Sequence, residues 1–181
     1  MRRTWGAFAA LVSLSALVVT SVSTGTASAV PVSRPADPVV LTGANLPALA
    51  SAKPVQLVGF AATATAWRQI PIQIDERALL NFGRVYHGAT NNVNVLGYTS
   101  NKTWAGNDPT KTFDSNDELA FMARDAGILA PFATRPAGTA AGGVRVKITD
   151  PLVPGSESYV YLFKKAAGSK LKSGAGKKYV N

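Results

Sequence analysis

The chain has no cysteine and one histidine, His87. Without cysteine there is no disulfide framework, no thiol nucleophile, no cysteine zinc site and no lipoprotein anchor. A lone histidine cannot found a histidine metal site, and no Gly-x-Ser-x-Gly elbow supplies an activated serine. Charge is also sparse, at 16% of residues. After residue 29 no apolar run approaches the roughly 20 residues of a membrane-spanning helix, because Arg, Asp or Pro interrupts each one. What the chain does have is 46% hydrophobic residues, 16 glycines and 11 prolines in 181 positions. That composition describes one turn-rich globular domain, neither a disordered polyelectrolyte nor a coiled coil.

The first 29 residues read as a secretory signal peptide. Arg2 and Arg3 form a basic start, Gly6 to Val19 an uncharged, mostly apolar stretch, and Ala27-Ser28-Ala29 the small-x-small cleavage pattern. The expected organisation is therefore a cleaved address over 1–29, an extended Pro-rich leader over 30–40, and a single domain over 41–181. The protein is expected to be secreted, outside the cell or in its envelope.

Loss of Arg2 and Arg3 lowers the formal net charge from +9 to +7. From Val30 to Phe163 there are 11 Arg+Lys against 10 Asp+Glu, so the body is near neutral. Lys164, Lys165, Lys170, Lys172, Lys177 and Lys178 carry the surplus in an acid-free tail. Such a cluster suits an anionic envelope polymer or a plain solvated terminus. Past Phe163 the only aromatic is Tyr179, so no base-stacking platform exists and nucleic acid is disfavoured as a partner.

Periodicity points to strands. In Trp67-Arg68-Gln69-Ile70-Pro71-Ile72-Gln73-Ile74-Asp75, Ile70, Ile72 and Ile74 face one way while Gln69, Gln73 and Asp75 face the other. Pro71 has no amide proton, so this strand is expected to sit at an edge or to pair on one side only at that residue. Pro54 to Ala62, Leu119 to Ala123, Val144 to Ile148 and Tyr159 to Phe163 read as further strands, with Glu76 to Leu80 as a short helical turn. Arg84 to Asp117 is a long polar stretch that either holds short strands, Val93 to Leu96 among them, or forms a functional excursion. Short strands between turn signals, with no long helix, predict an all-β antiparallel sandwich. Tyr179-Val180 reads as the start of another strand, so the chain is expected to be a truncated product of a longer gene.

Trp67 to Arg77, together with Phe113-Asp114-Ser115-Asn116-Asp117-Glu118-Leu119-Ala120-Phe121-Met122-Ala123 and Tyr159 to Phe163, resembles a group of secreted bacterial hypothetical proteins. In that group a W-x-x-I-P-V-Q-I-D-E-R strand precedes a D-x-x-D-E-L-x-F-M-A strand. Its members are similar to β-sandwich domains of polysaccharide-lyase-like proteins. The resemblance spans roughly residues 41–181 and implies a fold, with no activity and no catalytic residues.

Three constellations can carry chemistry. Asp114, Asn116, Asp117 and Glu118 supply alternating carboxylate and amide oxygens, with Asp108 nearby, which suits either a Ca²⁺ ion or a turn satisfied by local amides. Leu119 stands where a helix-flanked calcium loop needs glycine. Asp75-Glu76 and Asp117-Glu118 converge if their strands are neighbours, as an acid/base pair or as ion pairs with Arg77 and Arg124. Tyr98 and Trp104, among asparagines, are the candidate ligand-binding residues, because aromatic rings stack on sugars while amides bond hydroxyls. Trp67 is expected to pack in the core. The expectation is a non-catalytic glycan- or envelope-binding module, against a secreted hydrolase or lyase or an accessory domain of a larger protein.

Overall fold

The computed structural model describes residues 31–34, 36–84, 93–131 and 133–174. Nine strands form within them: β1 (Pro38–Thr42), β2 (Leu57–Ala62), β3 (Trp67–Ile70), β4 (Gln73–Asp75), β5 (Arg77–Asn81), β6 (Asn94–Tyr98), β7 (Glu118–Met122), β8 (Val144–Ile148) and β9 (Ser158–Lys164). Only single turns of 3-10 helix lie between them, so the fold is all-β. Every pairing is antiparallel, in a three-stranded sheet β1-β7-β4, a four-stranded sheet β3-β2-β9-β8 and a two-stranded arm β5-β6. Among the described residues no helix is long and apolar enough to cross a membrane.

The alternation in β7 buries Leu119 and Phe121, and that in β8 turns Val144, Val146 and Ile148 the same way. These side chains share one core with Leu57 and Ala61 of β2, Ile70 of β3, and Val160 and Leu162 of β9. Leu46, Leu49 and Phe113, from the connections, complete it and are fully buried. Each such side chain contributes about 1.5–3 kcal/mol through removal of apolar surface from water. β2 and β9 are buried along both faces, Lys164 apart. Their second face, with Phe60, Tyr159, Tyr161 and Phe163, is covered by Trp67, Ala130 and Leu171. Trp67 meets Tyr161 edge-on at 4.8 Å between ring centroids, and its indole N–H donates to the Thr134 carbonyl at 2.8 Å.

The stretch expected as one strand from Trp67 to Asp75 is two, in different sheets. The chain leaves the four-stranded sheet after Ile70 and joins the three-stranded sheet at Gln73. Pro71 sits at this corner, where a missing amide proton costs no ladder bond. Ile70, Ile72 and Ile74 nevertheless all pack on the same core.

Two further expectations are corrected. Glu76 to Leu80 is no helical turn: Arg77–Asn81 is β5, because pairing with β6 outweighs the helix propensity of Ala-Leu-Leu. The first part of Pro54 to Ala62 is a 3-10 turn over Pro54–Gln56, and the strand begins at Leu57. The polar stretch from Arg84 to Asp117 does hold a strand, β6, close to the Val93 to Leu96 candidate.

The Pro-rich leader is docked on the domain. Val32 is buried and its N–H donates to Ser158 Oγ at 3.0 Å. Arg34 forms a two-pronged pair with Asp150, Nε to Oδ2 at 2.8 Å and Nη2 to Oδ1 at 2.9 Å. The signal segment 1–29, His87, and Lys177 to Val180 of the tail lie outside the described residues.

Candidate functional site

The two acidic motif ends meet because β4 and β7 are neighbours, with Asp75 opposite Glu118. From that junction the chain turns outward into the arm at Arg77. Asp75, Asp114, Asp117 and Glu118 each have a protein donor of their own. The side chain of Asp117 is fully buried, and its Oδ1 and Oδ2 accept the backbone N–H groups of Arg77 and Asp114, both at 2.9 Å. Asp114 Oδ1 accepts the Asn116 N–H at 3.0 Å, closing a local turn. Glu118 accepts from the Arg77 guanidinium at 2.5 Å and from the Tyr98 hydroxyl at 2.8 Å. Arg77 Nε also donates to the Asn116 carbonyl at 2.6 Å, and the Gln73 amide donates to both oxygens of Asp75.

The expected calcium ligands Asp114, Asp117 and Glu118 are engaged by different protein donors, and the buried Asn116 Oδ1 has none among the described residues. Asp114 builds the turn, Asp117 is a clasp facing inward to backbone amides, and Glu118 faces the arm. Among the described residues no group of three or more His, Cys, Asp or Glu is placed to hold a metal ion. Asp108, from the loop after β6, is buried; its Oδ1 takes the Thr110 N–H and its Oδ2 takes none. Burial pushes the Asp117 carboxyl up, against the pull of the two backbone amides, with Asp114 and Asp108 adding to the rise. Glu76 is also raised, first by burial and then by the charges of Asp108 and Asp117. The Tyr98 phenol is raised because its proton is held by Glu118.

Tyr98 and Trp104 are both exposed, at 61% and 51%. They do not form one platform. Strand alternation places Tyr98 on the face of the arm that also carries Leu79 and Leu96, which stand opposite one another in the register, and Asn81 and Asn94. Gly97, the next residue along, belongs to the other face. There the Phe82 ring comes within 3.9 Å of where a Cβ of residue 97 would lie, and Trp104 packs edge-on against Phe82 at 5.2 Å.

The aliphatic part of this surface escaped the sequence reading. Leu79, Val93, Val95 and Leu96 are exposed on the arm, and the signal was an apolar cluster set in polar text that no core-facing period explained. In the basic tail, Lys164 Nζ donates to the Ala50 carbonyl and Lys165 Nζ to that of Leu171, so two of its cations brace the fold. Comparison with family models, curated proteins and solved structures returns no match.

Proposed function

We propose that this chain is a secreted, non-catalytic module that binds a glycan or another polymer of the cell envelope through the β5–β6 arm. On this reading the three- and four-stranded sheets are the two layers of an antiparallel sandwich, and residues 1–29 are removed on export. The reading rests on one observation. Of the twelve large hydrophobic residues exposed among the described residues, six (Leu79, Val93, Val95, Leu96, Tyr98 and Trp104) belong to the arm and the loop that follows it. Clustered apolar exposure with a polar border is the mark of an interaction surface. The Tyr98 face joins an aromatic ring and the Leu79–Leu96 pair to the asparagines at positions 81 and 94, a combination suited to a sugar's apolar face and its hydroxyls. Of the acidic ends, Asp75, Asp117 and Glu118 are each engaged by protein donors, which favours the ion-pair and turn roles over an acid/base pair for these three.

The test is co-sedimentation with an insoluble envelope polysaccharide. Tyr98→Ala and Leu79→Ser should each weaken retention about tenfold, near 1.4 kcal/mol, with unfolding midpoints close to that of the parent. Trp104→Ala, on the opposite face, should weaken it less. Equal retention of all three variants would end the arm-binding reading.

A further inference from the structure

A cavity of about 680 Å³ lies where the end of β2, the start of β9 and the strap over residues 126–129 meet. That size falls within the ~300–1,000 Å³ of small-molecule sites. Pro31, Ala62, Ala126, Ile128 and Leu129 give it an apolar wall, and the side chains of Ile128 and Leu129 are left exposed. The strap is fastened on both sides. Gly127 exchanges backbone bonds with Tyr159 of β9 at 2.9 and 2.8 Å, and the Ile128 N–H donates to the Ala62 carbonyl of β2 at 3.1 Å. Gly127 permits this closeness, since a Cβ there would lie 2.2 Å from the Ala62 carbonyl oxygen. The wall is thus preformed, and a ligand need not order it first.

The polar side chains of the wall differ in what they leave to a ligand. Glu157 accepts from Lys147 Nζ and from the Tyr159 hydroxyl at 2.5 Å, and the Thr63 hydroxyl donates to the Ala66 carbonyl at 3.0 Å. Arg68 is half-exposed, and its Nη2 donates to the Asp125 carbonyl at 2.8 Å. Its Nη1 stands 4.0 Å from Asp125 Oδ1, beyond hydrogen-bond reach, so Nη1 and Nε make no hydrogen bond among the described residues. Ser158 Oγ accepts the Val32 N–H at 3.0 Å, and its own proton has no acceptor among the described residues. The side-chain groups left over are donors beside an apolar wall.

We propose that this cavity binds a small amphiphilic monocarboxylate, with its head on Arg68 and its aliphatic body against Ile128 and Leu129. An ionised carboxylate only accepts hydrogen bonds, which matches a guanidinium and a hydroxyl proton. One guanidinium, partly offset by Asp125, balances a single negative charge, which favours a carboxylate over a roughly doubly charged phosphate monoester. Among the described residues the lining shares none with the β5–β6 arm, so this site is independent of the glycan reading.

Titration of the whole chain with octanoate at neutral pH, followed by calorimetry and by amide NMR shifts, tests this. Saturable binding at a single site is expected, with shift changes confined to residues 62–68, 126–129 and 157–159. Arg68→Gln and Leu129→Asn should each weaken binding about tenfold, one by loss of a charge-assisted bond and the other by loss of apolar contact, with unfolding midpoints near that of the parent. Octan-1-ol, equal in chain length and uncharged, should bind more weakly than octanoate. Absence of saturable octanoate binding, shift changes centred elsewhere, or octan-1-ol bound as tightly as octanoate overturns the proposal. If Arg68→Gln does not fold, Leu129→Asn and the octan-1-ol comparison decide, and an unchanged affinity in Leu129→Asn is the negative result. Tyr98→Ala should leave octanoate binding intact; a loss there would place the ligand on the arm and also overturn the proposal.

Discussion

The backbone N–H of Arg77 donates to the buried carboxylate of Asp117 at 2.9 Å, across 40 residues of sequence. The same side chain of Asp117 holds the Asp114 N–H, and its own carbonyl accepts from Gly43 at 2.8 Å. One residue thus joins the end of β1, the acidic turn and the first residue of the arm. Gly43 has to be glycine for this: a Cβ there would lie 1.7 Å from the Asp114 carbonyl oxygen, a backbone atom that cannot step aside.

Asp117→Asn replaces an acceptor oxygen with an NH₂ that confronts a backbone N–H. Stability should fall by about 1–3 kcal/mol, the cost of a buried donor left without an acceptor. Urea unfolding with an unchanged slope measures it. A loss below about 0.5 kcal/mol would mean that the clasp is dispensable.

The Arg34–Asp150 pair fastens the leader to the loop after β8, and the guanidinium holds the Asp150 carboxyl below its ordinary 3.8. A depressed carboxyl contributes stability that is present above its unfolded value and is lost as pH falls through the folded one. Arg34→Ala should therefore lower the unfolding midpoint at neutral pH and flatten the drop in stability below about pH 4. An acid-unfolding curve parallel to that of the parent would contradict the pairing.

Calcium should leave the unfolding midpoint where it is. Asp114 is engaged by a turn amide, Asp117 by two backbone amides and Glu118 by Arg77 and Tyr98, so at these carboxylates a cation competes with existing donors. Matching transitions in EDTA and in millimolar Ca²⁺ are expected. An upward shift that Asp114→Ala abolishes would return these residues to a metal site, since a ligand of the native state stabilises it by mass action.

Local patterns in the chain determined much of the fold by themselves. Leu119 and Phe121, Val144, Val146 and Ile148, and Ile70, Ile72 and Ile74 all face the core, as their alternation says, because side chains leave a strand on alternate sides whatever its neighbours are. Pro71 lies between two edge strands, β3 and β4, where its missing amide proton costs no ladder bond. Alternation did not say which sheet a strand joins, so Trp67 to Asp75 read as one element although it turns a corner between two. Glu76 to Leu80 was misread for a related reason: an intrinsic propensity worth tenths of a kcal/mol per residue yields to a whole ladder of pairing with β6. The acidic turn shows the limit most plainly. Asp114, Asn116, Asp117 and Glu118 have oxygens fit for a cation, for catalysis or for backbone amides, and nothing local chooses among these. The tertiary structure decided, by bringing the Arg77 amide and guanidinium to Asp117 and Glu118 from 40 positions away: a carboxylate's role depends on which donor reaches it once the strands have paired.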